Sequence, residues 1–140
     1  MEVAIVLAWL YSTLSLDPPL QGYASGGVWR AEAPPSTAAP YVIIEFQPSR
    51  SKDKMVFGGT RVYSDLFFQV FAAGPAKDGQ TVVNAAGRID QLLTVPQQTA
   101  ITGGTILASF RVSPLQSDYL IDGEMWSNFG GEYRIMAKAS

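Results

Sequence analysis

The strongest constraint on this chain is a strand pattern joined to a helix pattern over residues 61–93. Residues 61–73, RVYSDLFFQVFAA, alternate long enough to define a β-strand with two distinct faces. Val62, Ser64, Leu66, Phe68, Val70 and Ala72 form one face, suited to a core. Arg61, Tyr63, Asp65, Phe67, Gln69 and Phe71 form the other, polar at its start and apolar at its end. Gly74-Pro75 closes the strand, and Asp78 is a candidate N-cap for a helix over about residues 78–93. Val82, Ala86, Ile89 and Leu93 recur at helical spacing, with Val83, Ala85 and Leu92 beside them and Arg88, Asp90 and Gln91 toward solvent. Gly87 inside that helix costs about 1 kcal/mol relative to alanine, a cost that close packing would explain.

The length of the strand matters. At about 3.3 Å per residue it would span roughly 43 Å, against a radius of gyration of about 14 Å for a compact chain of this size. Such a strand either bends or overshoots the body. Its polar residues cluster at the Arg61 end, which favours overshoot and makes residues 49–60 the loop of a projecting hairpin arm.

Elsewhere the elements follow from periodicity and breakers. Residues 2–15 read as a helix with Val3, Val6, Leu7, Leu10 and Leu14 on one face. Ile5, Ala8 and Trp9 make it apolar on other sides too, so a second surface covers it, either a neighbouring subunit or a loop of the same chain. Asp17-Pro18-Pro19 stops this helix. Residues 21–27 then read as a flexible linker, and residues 28–33 as a short edge strand. Residues 41–47 form a strand apolar on both faces and hence interior. Residues 96–105 are a loop, residues 105–113 a strand ended by Pro114, and residues 118–122 a short apolar piece. Residues 125–137 are a last strand, with Gly130-Gly131 as a bulge or kink. The triplet GGT precedes two of these strands, at 58–60 and 103–105. The order predicts a single α+β domain over residues 1–140: a mixed or antiparallel sheet of about four to five strands, two helices on one face, and a projecting hairpin.

Composition narrows the chemistry. The 140 residues are 47% hydrophobic, which supports a packed core. There is no cysteine and no histidine, so disulfides, thiolate metal sites and the usual general base are excluded. Only 16% of residues are charged, with a formal net charge of −2. A surface so poor in charge implies cover by self-association, and near-neutrality disfavours nonspecific nucleic-acid binding. A signal peptide is disfavoured because Glu2 occupies the n-region and no Lys or Arg precedes Arg30. The apolar run 3–11 is too short to span a bilayer.

No catalytic motif stands out, and no cofactor or metal is expected. Asp118, Asp122 and Glu124 lie close in sequence and read as a solvated turn. Asp65, a carboxylate in an apolar strand, requires a partner, and a cross-strand or cross-subunit Arg or Lys fits better than Arg61. Arg50, Lys52 and Lys54 crowd the 49–60 loop as a solvated tip or as a contact multiplied by symmetry in a ring. No GxxxxGK[ST] or GxSxG occurs.

The succession LSLDPPL at 14–20, PYVIIEF at 40–46, RVYSDLFFQVFA at 61–72, the helix at 78–93 and the strands of 105–137 resembles the tail terminator, or tail completion, proteins of long-tailed bacteriophages. The resemblance covers nearly the whole chain as a pattern of elements. It implies a structural virion protein of the neck, not an enzyme. Such a protein forms a ring, usually a hexamer, that caps the tail tube and docks to the head-closure or connector protein. DNA passes through the ring without sequence-specific binding, and no membrane is involved. On that basis Ile5, Trp9, Arg61, Tyr63 and Asp65 are expected at subunit interfaces, and Arg50, Lys52 and Lys54 at the lumen or a partner. The alternatives are another neck component or a small carboxylate enzyme or ligand-binding domain built on Asp65, Asp118, Asp122 or Glu124.

Overall fold

A computed structural model describes residues 2–55 and 61–140. The side chains of Met55 and Arg61, and the first GGT triplet, lie outside the described residues. Helix α1 is Glu2–Ser15 and α2 is Pro18–Tyr23. Strands β1 (Val28–Arg30), β2 (Tyr41–Phe46), β3 (Lys52–Met55) and β4 (Arg61–Pro75) follow. A 3-10 turn at Ala76–Asp78 leads into α3 (Gly79–Leu93). Strands β5 (Thr99–Ile101), β6 (Gly104–Ile121) and β7 (Glu124–Ala139) complete the chain.

Among the described residues, all the strands join one seven-stranded sheet in the order β1-β2-β4-β7-β6-β5, with β3 also on β4. β1 runs parallel to β2 and the other pairs are antiparallel. The architecture is mixed α+β, as the pattern predicts, with more strands than expected. β4 is flanked on one side by β2 and β3 in succession and on the other by β7 from Ser64 to Pro75. Only residues 61–63 extend past the β7 ladder, so most of the long strand is paired on both sides.

The even-numbered face of β4 is the core face, as its alternation requires. Leu66, Phe68, Val70 and Ala72 pack with Val6, Leu10 and Leu14 of α1 and with Val82, Ala85, Ile89 and Leu93 of α3. Ala86, expected in the α3 stripe, is only half-buried, and Ala85 takes that place. Asp78 precedes α3 but its side chain makes no cap bond, because the 3-10 turn already leads the backbone into the helix. Among the described residues, no atom would meet a Cβ on Gly87, so they do not pack closely there.

Several local expectations are corrected. The linker reading of 21–27 gives way to α2. Asp17, which ends the influence of α1, accepts the Leu20 N–H at 3.0 Å and caps a new helix, with Pro18 and Pro19 at its first positions. Pro114 does not end a strand, since β6 runs through it to Ile121 and absorbs residues 118–122. Among the described residues, β6 has no outer partner beyond Ser109, and an edge strand tolerates a residue that lacks an N–H. Gly130-Gly131 is not a bulge. The β7 ladder is regular there, and the shifts fall on β6, between Ile106 and Ala108 and between Arg111 and Ser113. Glycine is required for space: a Cβ on Gly130 would collide with the Val70 carbonyl and with Phe71, and one on Gly131 with the Arg111 side chain. The second GGT sits at a two-residue hairpin, with Gly103 at φ +86°.

Candidate functional site

The sheet face away from the helices carries most of the residues singled out in the sequence. Register places Lys52 opposite Asp65 and Lys54 opposite Tyr63 on adjoining strands β3 and β4. Asp65 is only 5% exposed and accepts both arms of the Arg134 guanidinium, Nε to Oδ1 at 2.8 Å and Nη2 to Oδ2 at 2.7 Å. Its partner is therefore a cross-strand arginine of the same chain. That hydrogen bonding to the Asp65 carboxylate holds the Arg134 pKa above its ordinary value.

Arg50 joins the same cluster. Its guanidinium lies 4.4 Å from the centre of the Phe67 ring and forms an ion pair with Glu132. Arg134 approaches the same ring at 6.0 Å. Phe67 thus has two guanidiniums within about 6 Å of its ring centre, each also paired to a carboxylate. Lys52 stays exposed and Lys54 half-buried. The structure therefore brings Arg50, Lys52, Lys54, Tyr63 and Asp65 together at one end of the sheet.

Ile5 and Trp9 lie elsewhere. Both are half-buried, in a groove between α1 and β5 that Thr99–Ile101 and Thr102 help to line. A segment of the same chain thus stands beside the second face of α1.

The carboxylates of the turn do not converge. Asp118 accepts the Ser127 hydroxyl at 2.7 Å, Asp122 occupies the turn at φ +50°, and Glu124 is exposed. No group of three metal-ligating side chains occurs among the described residues. No helix of the described residues is long and apolar enough to cross a membrane.

Two surface features were missed in the sequence. The first is the β6–β7 hairpin. Asp122-Gly123 is a two-residue turn with positive φ at both positions, which matches the twist of the flanking strands. Leu120 is 67% exposed and Met125 is 45% exposed, and these two residues pair across the strands. β4 reaches only to Trp126, so the tip extends past it. The tilted stack of Tyr41 on Trp126, with ring centres 6.0 Å apart, and the Tyr119 hydroxyl bond to Asn128 brace its base. The second feature is a cleft of about 600 Å³ between α1, α2 and β1, with Tyr11, Leu14, Leu20, Val28, Trp29 and Arg30 among its walls. The Asp122-Gly123 dipeptide is the local signal for the hairpin, and Pro114, which reads as a stop, hides the strand that leads to it. The cleft is built across segments and has no local signal.

No family model matches the chain, and no curated protein matches it. Eight solved chains do. One of them superposes over 96% of this chain and 96% of its own, with a TM-score of 0.61 and 16% sequence identity. A likeness at that identity speaks to the fold alone.

Proposed function

We propose that this protein is a ring-forming structural component of a phage neck, of the tail terminator kind, which ends tail-tube growth and presents a docking surface for the head. The reading joins the order of elements, which resembles that family along nearly the whole chain, to the distribution of apolar surface. The observation that carries it is the concentration of large exposed side chains on the β6–β7 hairpin, with Leu120, Ile121 and Met125 at its end. A single copy leaves these in water, whereas an assembly covers them. The cluster around Phe67 then supplies a rigid, charged face for a neighbouring layer. The ring is a homohexamer whose hole passes DNA without reading its sequence.

Light scattering and electron microscopy of the purified protein test this reading. A closed ring that halts tube growth when added to polymerising tail-tube protein is expected. A chain that stays monomeric at high concentration and binds no tubes would overturn it.

A further inference from the structure

The two surface features missed in the sequence are complementary. The hairpin tip is a knob: Leu120, Ile121 and Met125 are exposed around a tight turn. Its charge is of one sign, because Asp118, Asp122 and Glu124 are acidic and no Lys or Arg occurs from Val112 to Tyr133. The cleft is a hole with apolar walls. Among the described residues that line it, Arg30 is a cation and no acid is present. Its aromatic walls, Tyr11 and Trp29, are of the residue type that anchors protein interfaces.

The two features also sit at opposite edges of the sheet by strand order. The cleft adjoins β1 at one end, while β6 lies toward the other, where β5 covers only residues 104–106. Two different patches on one chain make a heterologous contact, which propagates from copy to copy until it closes or forms a filament.

We infer that the β6–β7 hairpin tip of one copy inserts into the α1–α2–β1 cleft of the next, with Leu120 and Ile121 as the apolar plug and Arg30 facing the acids of the turn. This rests on the ring reading above and names the contact that builds the ring. The occupant is a second copy of this chain, because the plug and its charge are carried by the same molecule that carries the hole.

The test uses full chains and sedimentation or native mass spectrometry. Tip variants (Leu120→Asp with Ile121→Asp) and a cleft variant (Arg30→Glu) alter exposed side chains, and circular dichroism verifies their fold. Each variant alone should fall to the 15.1 kDa of one chain. Mixed together, they should stop at one-to-one heterodimers, because the mixture has one working tip and one working cleft. Combining Arg30→Glu with Glu124→Arg in one chain should restore assembly at least tenfold in concentration relative to Arg30→Glu alone. Tip and cleft variants that assemble as the unaltered chain does would overturn this contact and leave the ring reading standing. An unaltered chain that never assembles would overturn both.

Discussion

Arg88 grips Asp17 with two parallel hydrogen bonds, Nε to Oδ2 and Nη2 to Oδ1, both at 2.8 Å. The pair spans 71 positions of sequence and ties α3 to the junction of α1 and α2. The same Asp17 Oδ2 accepts the Leu20 N–H, so one carboxylate caps a helix and anchors another element. The Arg88 hydrogen bond holds the Asp17 pKa below its ordinary value, against the opposing effect of burial.

A lowered folded-state pKa gives stability that is present above the unfolded pKa and lost as pH falls through the folded one. Asp17→Asn keeps a capping oxygen and loses the charge, so it should destabilise mildly near neutral pH. The gap to the unaltered chain should narrow below about pH 4, the unfolded value. Asp17→Ala removes the cap as well and should cost about 1 kcal/mol through the cap alone. Urea unfolding at several pH values measures both.

Glycines at different sites should respond in opposite directions. Gly130→Ala places a methyl group against the Val70 carbonyl and Phe71, where backbone cannot yield cheaply, and should cost several kcal/mol, on the order of other strongly overpacked positions. Gly87→Ala meets no atom of the described residues and should stabilise α3 by about 1 kcal/mol. Thermal unfolding distinguishes them. If Gly87→Ala raises the melting temperature and also lowers assembly, the open space beside Gly87 is filled by a neighbour.

Ser109 is 1% exposed, and its hydroxyl has no hydrogen-bond partner among the described residues. Register with Ile135 puts it on the core face. Burying an unmatched hydroxyl costs about 1–3 kcal/mol, so Ser109→Ala should leave stability unchanged or raise it by up to about 1 kcal/mol. A clear loss in denaturant titration would show that the hydroxyl is satisfied in solution.

Asp65→Asn should cost about 1.5–3 kcal/mol, the range for hydrogen bonds to charged groups, since Arg134 loses its carboxylate and the arrangement around Phe67 loosens. Chemical denaturation gives the stability, and light scattering on the same sample gives the oligomer. A stable but disassembled Asp65→Asn would place this residue at a contact rather than in the scaffold.

The parts of the fold legible in the sequence were those governed by local periodicity. β4 and α3 carry periods of two and 3.6 over long runs, and the core faces of both follow with little change. What is not legible in the sequence depends on position in the sheet or on distant partners. Pro114 stops a central strand but is admissible on an edge, and no neighbour in sequence says which it occupies. Pro18-Pro19 reads as a stop and also as a start, and the choice rests on the Asp17 cap. The Asp65–Arg134 pair joins residues that the β4–β7 ladder brings together, and the Arg50–Glu132 pair also needs the β3–β4 pairing that sets the turn before β3 beside β4. The gathering of Arg50, Lys52, Lys54, Tyr63 and Asp65 was foreshadowed by their spacing, whereas the exposed tip at Leu120 and the cleft beside Trp29 were not.

The β4–β7 ladder also has a consequence for biosynthesis. β4 emerges from the ribosome well before β7, with α3, β5 and β6 made in between. Until β7 arrives, β4 has a vacant side, and the core face is only partly closed. The hairpin tip emerges in the same late interval. A nascent chain therefore gains the second neighbour of β4 and its exposed Leu120–Met125 tip almost together.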